Sequence, residues 1–504
     1  MERPNRLAKV PLVLFVAVSV AAGGVSCGTG AEARRAAVVL TVDTAHPGAT
    51  LPSDFLGLSF EASVLSSPDF DPATSALPAF LRDLGIGRLR FGGNSLDRVA
   101  AWTPGAADTL PSWARSRVTA TDLARLGALA SATGWTIDLG VNLGHPDRVA
   151  AASEVAAAVH LIGAGLGTVQ IGNEPELLGD LSSARGSSDY VATVAAYRAT
   201  IAAAAPSARL SGPDTAGPAG LAAYAADEGA GLALLTQHFY PLTRCGGARP
   251  TIAELLSPAT RAAEERLAAA ATTVGSAFHE PVRIDETNSA SCGGQDGVSN
   301  TFASALWIVE YLVTLAEGGV SGVGIQGGLA ACRGYTPLCV PGATGGAAGT
   351  SPGIDPVADT SLSAAVAREG GLAPQPEFYG LLLIRELEGG RWIRVSGRLP
   401  EALFAAALEM PDGAVRVLVV NHSADPGPDI VIRGVPGSRA DVQFLMGSSL
   451  DAVSGESLGG AVVSGYGRWV AHPDRSLANA HSGVHLHLPA STAALVTIHF
   501  DSAR

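Results

Sequence analysis

Several features are scarce in this chain of 504 residues. No cluster of Lys and Arg stands out beyond the first residues, and the formal charge is −13. That balance argues against nucleic acid as a partner. It repels polyanionic polymers as a whole, yet leaves room for a local basic pocket that takes one acidic sugar. Beyond the opening segment, no run reaches the ~18 uninterrupted apolar residues of a membrane span. No CxxC or HExxH spacing offers a metal site, and neither a metal nor an organic cofactor is expected. No glycine-rich phosphate turn follows the first strand of the repeating pattern described below. No solenoid repeat is visible, and no long block is polar enough to be disordered.

What is present begins with a positive opening, Arg3, Arg6 and Lys9, followed by the apolar stretch Val10 to Ala22. That stretch is too short to span a membrane comfortably, and it reads as a secretory signal. Gly24-Val25-Ser26-Cys27 closes it. The segment is similar to a bacterial lipoprotein signal, apart from Gly24 where a larger aliphatic residue is usual, so Cys27 is a lipidation candidate. The expected location is extracellular or on the cell surface, with membrane anchoring only through a lipid on Cys27. With Cys27 set aside, Cys245, Cys292, Cys332 and Cys339 remain. An even number in an exported chain suggests disulfides, and three pairings are possible. Cys245–Cys292 with Cys332–Cys339 is preferred, because each pair would join loops placed on one face.

Hydrophobic periodicity divides the chain. Ala37 to Asp43 reads as a strand, and from Phe55 onward strands and Ala/Leu-rich helices alternate. The strands expected are Phe55–Ser63, Arg88–Ser95, Thr136–Leu143, Thr168–Asn173, Arg209–Asp214, Leu232–Tyr240, Val282–Asn288 and Gly322–Gln326. Helices are expected over Pro78–Leu84, Thr121–Thr133, Val149–Leu161, Asp189–Ala204, Ile252–Val274 and Asn300–Glu317. Eight strands, each followed by a helix or long loop, indicate a closed (β/α)8 barrel; a doubly wound open sheet is the alternative. Gly334 to Ala373 reads as a long loop, and Glu377 to Glu388 as a closing helix. After Gly389-Gly390 the period changes to two, which indicates an all-β sandwich. The expected division is a signal over 1–27, a strand over 37–50 that joins the sandwich, a barrel over 51–388 and a sandwich over 391–504.

Two barrel strands end in glutamates. Val169 and Ile171 run into Gly172-Asn173-Glu174-Pro175, and Val282 and Ile284 run into Glu286. Paired carboxylates are what glycoside hydrolysis needs. Polar residues collect at the other strand ends too: Glu61, Asn94, Asn142, Asp214, His238, Tyr240 and Gln326. In a parallel barrel that end carries the active site. Asp214 and Asp285 read as supporting groups at the rim, Glu176 as solvated, and Glu264-Glu265 as an exposed helix face.

At these residues the chain resembles the clan of (β/α)8 retaining glycosidases, and within it glycoside hydrolase family 79, the β-glucuronidase and heparanase-like group. The stretches that carry the resemblance are Gly57–Glu61 (GLSFE), Arg90–Ser95 (RFGGNS), Ile171–Pro175 (IGNEP), His238–Pro241 (HFYP) and Asp285–Ser289 (DETNS). The resemblance implies Glu174 as acid/base and Glu286 as nucleophile; a nucleophile must stay ionised and needs hydrogen-bond donors, for which Tyr240 and Arg90 are the candidates. The resemblance further implies that Asn173 binds the sugar 2-hydroxyl, that Glu61 and Asn94 bind other hydroxyls, and that His238 braces the carboxylates. A uronate carboxylate would call on backbone N–H groups around Gly293 and on the Tyr335 hydroxyl. The implied activity is that of an exported retaining exo-β-glycosidase, foremost a β-glucuronidase, acting on a glycan or glycoside. The alternatives are the same chemistry on a neutral sugar, a non-catalytic surface carbohydrate-binding lipoprotein, and a structural envelope protein.

Overall fold

The computed structural model describes residues 37–178, 188–228, 231–329, 331–342, 371–480 and 482–500. The expectations for residues 1–27, Cys27 among them, and for the Gly/Pro-rich stretch over 343–370 lie outside the described residues. No helix among the described residues is long and apolar enough to cross a membrane.

Eight parallel strands close into a barrel: Gly57–Glu61, Arg88–Gly92, Thr136–Val141, Leu166–Ile171, Leu210–Thr215, Leu234–Phe239, Val282–Thr287 and Gly322–Gln326. They are hydrogen-bonded in chain order, and the eighth pairs with the first through Ile325 and Leu58. The strands are buried on both faces, as expected of a parallel sheet under a coat of helices.

Local chemistry sets the helix ends. Thr119 and Asp122 form a reciprocal capping box at the start of Ala120–Thr133, and Gly134 ends that helix in the left-handed conformation. The stretch Ile252–Val274, read from sequence as one helix, is two: Ile252–Leu255 and Pro258–Phe278. Pro258 is the reason. It forces Ser257 into an extended conformation, and the Ser257 side chain then caps the second helix by accepting from Thr260 N. A helix over Pro218–Glu228 and a strand over Arg475–Ala480 were not anticipated.

The second sheet is all-β, and its middle contains the early strand Val38–Asp43. That strand pairs antiparallel with Arg391–Ser396 and parallel with Asp429–Arg433. Its interior is aliphatic, with Leu40, Val42, Val417, Val419, Ile430, Ile432 and Val496 among its members. The helix Phe302–Glu317 is buried nearly all round because barrel and sandwich both cover it. The sandwich supplies carbonyls to its N-terminal amides: Phe302 N donates to Ala452 O at 2.7 Å and Ala303 N to Leu450 O at 2.8 Å. His422 of the sandwich lies 3.0 Å from Glu310 on the same helix.

Candidate active site

Arg90, on the second barrel strand, is the hub of the barrel's C-terminal end. It is 2% exposed and uses all three of its nitrogens. Nε donates to Gln170 at 3.0 Å, and Nη1 donates to Ser59 at 3.0 Å and Glu286 at 2.9 Å. Nη2 donates to Asn173 at 2.8 Å, Asp214 at 2.9 Å and His238 Nε2 at 3.1 Å. One guanidinium thus ties residues of the first, fourth, fifth, sixth and seventh strands, or of the turns after them, to a single point. A buried cation of this kind is tolerable only when its donors and the facing charges are matched.

The Arg90 contact also sets which tautomer the neutral His238 ring adopts. A guanidinium only donates, so Nε2 accepts and the ring proton sits on Nδ1. From there it reaches Glu174 Oε1 at 3.0 Å. Burial opposes a second proton on the ring, but the charge of Glu286 and the bond to Glu174 outweigh it and push the pKa up to about 9. A second proton, on Nε2, would point at the Arg90 donor, so Arg90 opposes it as burial does, while the two carboxylates favour it.

Glu286 is 5% exposed and Glu174 8% exposed. One oxygen of each, with a ring nitrogen of His238, lie within 4.8 Å of one another. Glu174 holds a left-handed conformation at φ 45° just before Pro175, and its N–H donates to Asp214 O at 2.9 Å. That turn brings its side chain across the barrel mouth towards Glu286. Burial by itself would push the Glu286 pKa up. His238, Arg90 and the Tyr240 hydroxyl, which donates at 2.9 Å, reverse this and hold it below the ordinary carboxylate range. Beside it, Asp285 is pushed well up by burial and by Asp214. Gln170 donates to both Asp214 and Asp285.

The other named residues separate. Glu61 is buried at the first strand's end; its Oε2 accepts from Ser95 N at 2.7 Å, and burial with the Glu286 charge pushes its pKa up to about 7. Gly93, at φ 68°, lies so close that a Cβ there would come within 2.5 Å of the Glu61 carboxylate, so the turn accepts only glycine. Asn173 Nδ2 is buried without a protein partner. Asn94 is half-buried at the start of the short helix Asn94–Arg98. Tyr335 is 2% exposed, its ring lies 5.9 Å from that of Tyr240, and its hydroxyl meets Tyr240 and the Gly293 backbone. Disulfides join Cys245 to Cys292 and Cys332 to Cys339. The first ties the loop after the sixth strand to the loop after the seventh. Asn142 serves structure: it donates to Leu96 O at 2.6 Å and accepts from His145 N at 2.7 Å.

Two readings need correction. Glu264 is not on an exposed face; it is 2% exposed and accepts from Trp307 Nε1 at 2.8 Å, with burial pushing its pKa up to about 8. Glu176 is not simply solvated, since its Oε1 accepts from Ala216 N at 2.6 Å and its Oε2 is buried. One organising residue was missed altogether. Asp97 accepts from Leu143 N, Gly144 N and Asn173 N, and so joins the loops after the third and fourth strands. It lies mid-turn in a helical stretch, where no local signal marks a carboxylate that serves distant amides.

Glu174, His238 and Glu286 could in principle hold a metal ion, as could Asp214, His238 and Asp285. Arg90 already donates to Asp214, His238 and Glu286, so a cation stands between both sets, and the arrangement is an ion-paired network.

No family model and no curated protein matches the sequence. Solved structures do match the fold. A 4-O-α-L-rhamnosyl-β-D-glucuronidase from Fusarium oxysporum 12S superposes with TM-score 0.71 at 18% identity, over 91% of this chain and 100% of that one. A GH51 arabinofuranosidase from Xanthomonas axonopodis pv. citri gives 0.65 at 13% identity, over 92% and 100%. A GH30 endoxylanase from Clostridium papyrosolvens C71 gives 0.51 at 11% identity, over 91% and 99%. These establish a barrel-plus-β-domain fold shared with glycoside hydrolases.

Proposed function

We propose that the protein is an exported retaining exo-β-glycosidase of the family 79 kind, with β-glucuronidase specificity. The observation that carries the reading is the approach of Glu174 and Glu286, with oxygens and a His238 nitrogen inside 4.8 Å. Retaining enzymes keep their carboxyl groups ~5–5.5 Å apart, whereas inverting ones leave room for a water. Glu286, held ionised, attacks the anomeric carbon. Glu174 receives the His238 Nδ1–H on Oε1, which leaves its acid proton on Oε2 for the departing oxygen. Glu174 then takes a proton from the water that releases the sugar. Asn173 Nδ2, buried and unpartnered, donates to the sugar 2-hydroxyl, and Glu61 and Asn94 take other hydroxyls. The two disulfides and the opening signal support export, with Cys27 as the point of lipid attachment.

Uronate specificity draws support from the fold shared with a rhamnosyl-glucuronidase and from Gly293 and Tyr335 beside Tyr240. A neutral sugar is the second reading, favoured by the burial of Tyr335, whose hydroxyl is already engaged. The test is hydrolysis of nitrophenyl β-glucuronide beside the xyloside, galactoside and arabinofuranoside, by wild type and Glu286→Ala. Azide should restore turnover to Glu286→Ala and give the α-glycosyl azide, one inversion replacing two. Retention in the wild type with such rescue supports the assignment. An inverted wild-type product, or glycan binding without turnover that Glu286→Gln leaves unchanged, refutes it.

A further inference from the structure

The barrel mouth is chemically lopsided. Of the candidate sugar contacts, Glu61, Tyr240, Gly293 and Tyr335 belong to the first, sixth, seventh and eighth strands and their loops, while Asn94 and Asn173 follow the second and fourth. The opposite rim, above the third and fourth strands, carries apolar and aromatic surface. Trp113 is half-buried and stacks on His145, with centroids 3.9 Å apart and planes 12° apart. Leu177, three residues after Glu174, is 53% exposed, and Val149 is 69% exposed.

This rim is tied to the catalytic turn. Asp97 takes the N–H of Gly144, next to His145, at 2.9 Å and that of Asn173, next to Glu174, at 2.7 Å. The two loops therefore run side by side. Trp113 lies between two short paired strands, Ala100–Trp102 and Ser116–Val118, on the excursion after the second barrel strand. Asn142 ties that excursion to His145: its side chain donates to Ala100 O at 3.2 Å and accepts from His145 N at 2.7 Å. His145 is thus held by its own N–H, and the segment bearing Trp113 is tied two residues on, where Arg115 N donates to Val99 O at 2.8 Å.

A glycosidase acid stands beside the oxygen it protonates, so the leaving group lies on the Glu174 side. We propose that Trp113, braced by His145, and Leu177 form the platform for the leaving group, and that it suits a flat aromatic aglycone rather than a further sugar of a polyanionic chain. The inference rests on the glycosidase reading above. The formal charge of −13 points the same way, because it disfavours a charged polymer beyond the scissile bond. An aromatic contact of this kind contributes modestly, beyond what area alone provides.

The experiment compares kcat/KM for 2-naphthyl and methyl β-glycosides of the sugar the wild type prefers, in wild type, Trp113→Ala, Trp113→Tyr and Leu177→Asn. Leaving-group acidity cancels in the change of the naphthyl-to-methyl ratio. That ratio should fall about fivefold in Trp113→Ala, fall less in Leu177→Asn, and stay near wild type in Trp113→Tyr. Thermal unfolding accompanies each; if Trp113→Ala does not fold, Leu177→Asn carries the decision. A ratio unchanged in the folded variants overturns the platform alone. A wild type that cleaves no glycoside overturns the glycosidase reading, and the platform with it.

Discussion

Around Arg90 the barrel interior holds Gln170, Asp214, His238, Asp285 and Glu286, each 5% exposed or less. The sandwich interior, at comparable depth, is built from Leu40, Val42, Val417, Val419, Ile430 and Ile432. Both regions exclude water, yet they are held together differently. The sandwich needs apolar volume of about the right shape, which many sequences supply. The barrel mouth needs donors and acceptors matched atom by atom, because a buried charge left unmatched costs several kcal/mol. Folding alone would be served as well by a second aliphatic core. The polar one makes sense as a place where charge is held ready for use.

That contrast can be tested by breaking either side. Glu174→Gln should cause the largest change: kcat/KM on substrates with poor leaving groups should fall by ~10²–10⁴, and far less on a dinitrophenyl glycoside that needs no acid. Its fold should persist, since glutamine can still accept from His238. Arg90→Met should come next. Removing the cation leaves Asp214 and Glu286 facing a gap, and urea unfolding should show a loss of about 3–5 kcal/mol. In the sandwich, Ile430→Val should cost only about 0.5–1.5 kcal/mol and leave the kinetics alone. If Arg90→Met proves as mild as Ile430→Val, the network carries little and the contrast collapses.

The smallest effects concern pH, and here the two regions should respond with opposite sign. Burial alone pushes Glu154, on a barrel helix, from 4.5 up to about 8. Between those values the folded state keeps a proton that the unfolded chain has released, so Glu154 lowers stability as pH rises from ~5 to ~8. In the sandwich the bond from Arg439, helped by Ser476 and His499, holds Asp441 down at about 2 against 3.8. Its contribution is complete above the higher value and is lost as pH falls towards the lower. Melting curves should therefore decline on both sides, with Glu154→Gln flattening the alkaline side and Asp441→Asn the acid side, each by about a degree or less.

The eight barrel strands were legible because each is a short apolar run between turn residues, and each lies within a few residues of where periodicity puts it. The strand-end residues Glu61, Asn173, Glu174, His238, Tyr240 and Glu286 were legible for the same reason: a parallel barrel delivers all its C-terminal ends to one face. What escaped depends on contacts between distant segments. Glu264 looked solvated because its neighbours Glu265 and Arg266 are polar, and only Trp307, supplied by another helix, buries it. Asp97 could not be told from a helix-surface aspartate, since its three amides come from two other loops. The strand Arg475–Ala480 alternates between exposed and partly buried positions, and its weak apolar pattern hid it.

The strand Val38–Asp43 has a consequence for how the molecule is made. Its neighbours, Arg391–Ser396 and Asp429–Arg433, leave the ribosome about 350 and about 390 residues after it. The barrel is therefore finished while the strand that precedes it still waits for its partners, and only synthesis of the sandwich strands supplies them. A chain interrupted late in translation would hold every group around Arg90 and still present an open sheet edge, the feature by which quality control recognises unfinished work.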